Sequence, residues 1–222
     1  MNALKQIISL FDDEAQKKPE SALLHASCAL DGTAKQLYPN IDSSRKRFVH
    51  CIREHYWLVE PMMGVGFNLA DTKFKNVLII DDRQKEGPDF AEIVYKIHRC
   101  SHNHGDEVPA GFELTAARGP YFSEWEFGPN SVKMPDRIIW ALASIVVFSP
   151  VNKRFIGQGG NRYLAWGEQK FYIKDWWGGL DKIRPLAAMW NTQRVKIEGL
   201  AECLNPGSTG NAHFMLIASP PK

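Results

Sequence analysis

The stretch from Ile138 to Phe148 most constrains what this chain can become, because every side chain in it except Ser144 is apolar. It is about half the length needed to cross a bilayer. A helix that is apolar all round and too short to span has to be enclosed by the rest of its own domain. The chain has the material to do so. Its 222 residues, 44% apolar and 23% charged, have the balance of a soluble globular protein. That length buries a core without disulfide or metal staples. The formal net charge is only +2, which excludes a global electrostatic signature of nucleic-acid binding. Any RNA contact must rest on a local basic patch, of which Ser44-Arg45-Lys46-Arg47 is the densest.

The cysteines are Cys28, Cys51, Cys100 and Cys203, with no Cys-x-x-Cys pair among them. Three fall in helical segments, so the expectation is free thiols and a reducing, cytoplasmic setting rather than a disulfide framework. The first residues carry Asp12, Asp13 and Glu14 and lack a basic start followed by a long apolar stretch. They do not read as a secretory leader.

Helical spacing organises the first half. Leu4, Ile7, Ile8 and Phe11 predict an amphipathic helix over 3–17, ended by Pro19. Leu23, Ala26, Leu30, Ala34 and Leu37 predict a second, capped by Ser21 and stopped by Tyr38-Pro39-Asn40. Asp42 or Ser43 caps a third over 44–58, and the short connection favours an antiparallel pair. Val77-Leu78-Ile79-Ile80 reads as a short strand or part of a helix. Pro88 suits the first turn of a helix whose buried face is Phe90, Ile93, Val94, Ile97 and Ser101, with Gly105 as its stop.

Residues 112–116 and 122–127 alternate around Gly119-Pro120, which predicts a β-hairpin. Pro135 is expected to open the apolar helix. Lys170-Phe171-Tyr172-Ile173 suggests a short strand, and a last helix is expected over about 179–201. Trp166, Trp176 and Trp177 are read as packing groups before base-stacking ones. The tail from Asn205 has the composition of flexible chain.

The chemistry concentrates in Arg99-Cys100-Ser101-His102-Asn103-His104. Arginine offers an always-charged fork that fits a phosphate. Histidine titrates nearest neutrality and can take or give a proton. Arg99 and His102 share a helix face, whereas Arg99 and His104, five apart, converge where the helix ends. Tyr95 lies one turn earlier, and Asn103 and Asp106 stand close by. Two other readings compete. His98, His102 and His104 with Cys100 or Asp106 have the atoms for a metal site, and so for a metallohydrolase, but no second ligand cluster supports them. A helix C-terminus also attracts basic residues to its dipole. Arg45 and His50 repeat the arginine–histidine spacing, but in mid-helix and without other polar groups.

The run from Ile93 to Gly105, an aliphatic-tyrosine lead-in followed by Arg99, four residues and His104, resembles the motif helix of HEPN-domain proteins. The small-residue helix Ala22–Gly32 and the segment Ser44–Val49 are similar to the helices that precede it in that family. The resemblance covers about residues 20–150. It implies a mainly α fold: an antiparallel HEPN-like helical bundle over 1–150 with a small β-hairpin appendage near 110–130. A C-terminal helical extension over 151–204 and a flexible tail over 205–222 complete the expected organisation.

The resemblance also implies a homodimer that brings two motifs together, and a metal-independent endoribonuclease of prokaryotic defence or stress response. Such an enzyme needs no cofactor, takes RNA as substrate, can have an antitoxin protein as partner and involves no membrane. In that scheme Arg99 binds the scissile phosphate and His104 acts on the 2′-hydroxyl or the leaving oxygen. Tyr95, Cys100, His102, Asn103 and Asp106 support them. Cys100 stands where the family often has a polar residue. A HEPN-like module without catalysis, binding nucleotide, RNA or protein, is the alternative from another class.

Overall fold

An apolar helix without a polar face has to be walled in, and the order of the elements shows how. The structure, a computed structural model, describes residues 2–63, 68–75, 77, 87–99, 108–116, 122–155, 160–190 and 212–217. Four helices come first: α1 (Ala3–Ala15), α2 (Pro19–Leu37), α3 (Ser44–Glu54) and α4 (Tyr56–Met63). A short helix α5 (Phe90–Ile93) runs directly into a π-helix (Val94–Arg99). Strands β1 (Leu114–Thr115), β2 (Phe122–Gly128) and β3 (Ser131–Pro135) precede the apolar helix, α6 (Ile138–Phe148). A 3-10 turn (Pro150–Phe155) leads to β4 (Tyr163–Trp166) and β5 (Gln169–Tyr172). Then come α7 (Ile173–Trp176), α8 (Leu180–Trp190) and β6 (Ala212–Ile217). The fold is mainly helical with two small sheets. No helix among the described residues is long and apolar enough to cross a membrane.

Helix α6 sits at the centre, packed against α2 on one side and α4 on another. All of its residues are buried except Trp140, which is half-buried against Phe11 of α1. Its C-terminal end is tied down by polar groups inside the core. Buried Asn152 donates from Nδ2 to the Thr33 hydroxyl at 3.0 Å and to the Val146 carbonyl at 2.9 Å. Its own carbonyl accepts from the Trp177 indole at 2.6 Å. The side chain and backbone of one residue therefore join α2, α6 and the segment after α7, and satisfy groups that would be costly to bury alone.

The helix boundaries revise several expectations. Pro19 is the first residue of α2, not the stop of α1, because proline's missing N–H is harmless in a first turn. Ser21 is consequently inside α2, where its hydroxyl donates to Asp13 at 2.7 Å, and it is not a cap. Ser43 does cap α3, accepting the Lys46 N–H at 3.3 Å. The single helix expected over 44–58 is two helices, broken at His55. Pro135 does not open α6; it ends β3, and α6 begins three residues later at Ile138.

The hairpin differs from the one the alternation suggested. β2 pairs antiparallel with β3, through a turn in which Asn130 has φ 52°, and not with residues 112–116. β1 lies on the far side of β3 and runs parallel to it. β6 pairs antiparallel with β2, which gives the order β1-β3-β2-β6. The tail whose composition suggested flexible chain thus supplies a strand. The inner face of this sheet carries Trp125, Phe127, Val132 and Met134, all fully buried. Its outer face carries Glu126 opposite Lys133, with their charges 3.2 Å apart. Trp125 and Phe127 lie parallel with centroids 6.0 Å apart, and Phe74 and Phe90 pack against this layer. The sheet therefore rests on the start of α5. The second sheet is the β4–β5 hairpin, which buries Trp166 and Phe171. Trp166 and Trp177 are core residues, as their residue type suggested.

Candidate functional site

The motif segment enters from a helix start that is unusually well fastened. Asp89 is the N-cap of α5, so Pro88 stands just before the helix rather than in its first turn. Asp89 Oδ1 accepts the Glu92 N–H at 3.0 Å, and Glu92 Oε2 accepts the Asp89 N–H at 3.1 Å, a reciprocal capping box. The Ala91 N–H donates to the Tyr56 hydroxyl at 3.2 Å. Burial pushes the Tyr56 phenol far above its ordinary range, so it stays neutral in this role.

Arg53 of α3 then neutralises the cap. Its Nε lies 2.7 Å from Asp89 and its Nη2 3.2 Å from Glu92, while Lys73 approaches Asp89 at 3.8 Å. Gly87 brings the chain in at φ +76°, where an added Cβ would stand 2.7 Å from the Phe74 carbonyl oxygen. Glycine is required there both for the conformation and for the space.

Beyond Ile93 the helix widens. Residues Val94–Arg99 are wound as a π-helix packed against α2 and α3. Phe90, Ile93, Val94 and Ile97 are buried, as their spacing predicted. Tyr95 is half-buried, edge-on to Phe48 with ring centroids 5.6 Å apart. Arg99 is the last residue of the π-helix. Cys100, His102, Asn103, His104 and Asp106, with Ser101 and Gly105, lie outside the described residues, as does the Arg99 side chain. The metal alternatives are the same residues with His98, whose side chain is likewise outside the described residues, and no group of three or more His, Cys, Asp or Glu with metal-binding geometry occurs among the described residues. The weaker arginine–histidine pair does not converge. Arg45 is exposed on α3, and His50 packs edge-on against Tyr38 with centroids 4.5 Å apart.

A concave region elsewhere in the molecule was not visible in the sequence. A groove of about 380 Å³ opens between the C-terminal end of α1, the end of α4, the start of α6 and β4. Glu14, Asp136, Arg137, Trp140 and Tyr163 supply its polar and aromatic lining, and Met62 and Leu164 its apolar lining. Burial, and then the like charge of Asp136, raise the Glu14 carboxyl above its ordinary pKa. Burial lowers Arg137, and Asp136 opposes that fall. The groove therefore holds two carboxylates that feel each other and a guanidinium coupled to one of them. In the sequence Glu14 reads as one acid in a solvated run, and Asp136-Arg137 as a helix start. Nothing local connects residues more than a hundred positions apart.

Comparison with known proteins places both regions in a shared context. Uncharacterized protein Rv1289 of Mycobacterium tuberculosis strain H37Rv is 28% identical over 179 residues, which cover 81% of this chain and 83% of that protein. Uncharacterized protein Mb1320 of Mycobacterium bovis matches to the same extent. No solved structure matches the chain. The family match takes in α1 through α8, hence the groove, the capped helix and the arginine–histidine segment, and stops short of β6. The chain belongs to the Rv1289 family, which it matches over residues 3–200.

Proposed function

We propose that this chain is a metal-independent endoribonuclease of the HEPN kind, acting in prokaryotic defence or stress response through Arg99 and His104. The observation that supports the reading is the π-helical winding of Val94–Arg99. On an α-helix, residues five apart point about 140° away from each other. A helix wound with i→i+5 hydrogen bonds aligns residues at that interval, and such segments are frequent at functional sites. The widened winding ends at Arg99, directly before the four residues that separate it from His104. The locked N-terminus of α5 and the seat of Tyr95 on Phe48 give the segment a firm base, which preorganised catalytic groups require.

In this mechanism His104 removes the proton from the substrate's 2′-hydroxyl, and that oxygen attacks the adjacent phosphorus. Arg99 stabilises the charge that develops on the phosphate oxygens. The 5′-oxygen leaves, and the products carry a 2′,3′-cyclic phosphate and a 5′-hydroxyl. A homodimer would supply the two motifs of one cleft, with an antitoxin protein as the partner that silences it.

The test is cleavage of a mixed RNA pool by purified protein in the presence of EDTA. Arg99→Ala and His104→Ala should each slow it at least about a hundredfold, the usual effect of losing one acid–base group or one preorganised charge. DNA, and RNA methylated on the 2′-oxygen, should remain intact. Cleavage that disappears with EDTA and returns with zinc would instead support a metallohydrolase. RNA or nucleotide binding without cleavage would support the silent module.

A further inference from the structure

The outer face of the β4–β5 hairpin carries what a core-building hairpin does not need. Strand alternation turns Leu164, Trp166 and Phe171 into the core and leaves Tyr163, Ala165, Lys170 and Tyr172 outside. Tyr163 and Tyr172 are register partners, with ring centroids 5.6 Å apart. Among the described residues only three large hydrophobic side chains are exposed, and these tyrosines are two of them, at 38% and 37%. Beneath them Trp166 and Phe171 pack edge-on at 5.1 Å, so the pair stands on a firm base.

Positive charge gathers around the two rings. Lys170 Nζ lies 4.6 Å from the Tyr163 centroid, and Lys174 Nζ 5.9 Å from the Tyr172 centroid. Both lysines are exposed, and their charges meet rings rather than carboxylates among the described residues. Residues 150–190 hold seven Lys or Arg against three Asp or Glu, a charge of +4, whereas the whole chain has +2. The nearly neutral total conceals a basic region, and the tyrosine pair lies within it.

We propose that this face binds single-stranded RNA, with bases stacked on Tyr163 and Tyr172 and phosphates held by Lys170 and Lys174. The inference rests on the reading of RNA as the substrate, and names the surface that holds an unpaired strand. Rings interleaved with cations suit such a strand, because every base has a face to stack and every nucleotide a phosphate. The lysines do not block the rings. A cation over an exposed ring is weakly held, and a stacked base is the stronger contact. Lysine's flexible stem lets the ammonium swing from the ring to a phosphate. A duplex has its bases already stacked on one another and offers the rings nothing. The core of a protein interface is depleted in lysine, which argues against a protein partner here.

Fluorescence anisotropy on the full chain tests the proposal. The probe is a short mixed-sequence RNA strand methylated on its 2′-oxygens, so that it is not cut. The wild type should bind the strand, and should bind the duplex formed with its complement at least about tenfold more weakly. Tyr163→Ala and Tyr172→Ala should each weaken strand binding about tenfold, the effect of losing one stacked base. Tyr172→Phe keeps the ring and should bind like wild type. Lys170→Gln combined with Lys174→Gln should make binding less sensitive to salt. Both tyrosines are exposed, so the alanine variants are expected to fold, which circular dichroism checks. No binding of the strand, equal affinity in wild type and both alanine variants, equal losses from Tyr172→Phe and Tyr172→Ala, or duplex binding as tight as strand binding would overturn the proposal. Cleavage of unmethylated RNA, measured alongside, separates it from the nuclease reading. Cleavage together with tyrosine-independent binding sinks this surface alone, and tyrosine-dependent binding without cleavage sinks the nuclease alone.

Discussion

Two carboxylate pairs in this molecule have similar composition and opposite surroundings. Asp89 and Glu92 are nearly buried, and their oxygens are taken up by backbone N–H groups, by Arg53 and by Lys73. Glu14 and Asp136 open onto a cavity, where burial, and then the like charge of Asp136, raise the Glu14 carboxyl. The first pair is architecture: its chemistry is used up in fastening a helix. The second lines a cavity between α1, α4, α6 and β4. Carboxylates close together are therefore not in themselves a sign of function; what distinguishes these pairs is whether they cap a helix or line a cavity.

Removing a member of the satisfied pair should have the largest effect. Asp89→Ala deletes the cap of α5 and leaves Arg53 without its closest carboxylate. A loss of about 3 kcal/mol is expected, combining a lost N-cap with a lost charged hydrogen bond. Urea unfolding measures it. Asp89→Asn keeps the cap and should cost less. A loss below about 1 kcal/mol for Asp89→Ala would show that the pair is not architecture, and would break the contrast.

A smaller effect belongs to His55, at the junction of α3 and α4. It is buried, and its Nδ1–H donates to the Cys51 carbonyl at 2.7 Å. Burial lowers its pKa below 6.5, assisted by Arg184 and His50 and opposed by the Cys51 hydrogen bond and Glu54. The unfolded chain therefore takes up the proton first. Stability should fall as pH drops from about 6.5 toward the folded pKa, and should level off below it. Urea midpoints at neutral and mildly acidic pH should converge in His55→Gln relative to wild type. An unchanged pH slope would exclude His55 as its source.

The smallest effect is expected in the groove, and its sign is reversed. Glu14 holds its proton to higher pH in the folded state than in the unfolded chain, so stability should decline as pH rises from about 4.5 through the raised folded value. Glu14→Gln should remove that decline and leave the protein slightly more stable at neutral pH, by less than about 1 kcal/mol. A thermal melt series across this range reads it. Destabilisation by Glu14→Gln at neutral pH would mean that Glu14 is as fully partnered as Asp89, and the distinction between the pairs would fail.

Periodicity alone was enough to locate α1, α2, the start of α3 and the buried face of α5, because an α-helix closes its hydrogen bonds within four residues and its apolar stripe is written locally. The enclosure of Ile138–Phe148 was legible for the same reason: a segment with no polar face has one place to go. Prolines were ambiguous, since Pro19 suits both the end of one helix and the first turn of the next. Only packing, with Ser21 bonded to Asp13, decided between them.

Strands show the opposite case. The alternation in 122–127 marked a strand but not its neighbours. β2 takes β3 on one side and, on the other, β6 from nearly ninety residues downstream. Strand partners are chosen by long-range burial, here of Trp125 and Phe127 against Phe74 and Phe90. The arginine–histidine segment was conspicuous because its residues adjoin one another in the chain. The groove was not, because Glu14, Asp136 and Tyr163 become neighbours only once α6 is enclosed. The sequence by itself determined which segments are helical and which faces they bury, since those follow from contacts between near neighbours. The tertiary structure alone decided which charges meet, since that depends on where distant segments come to rest.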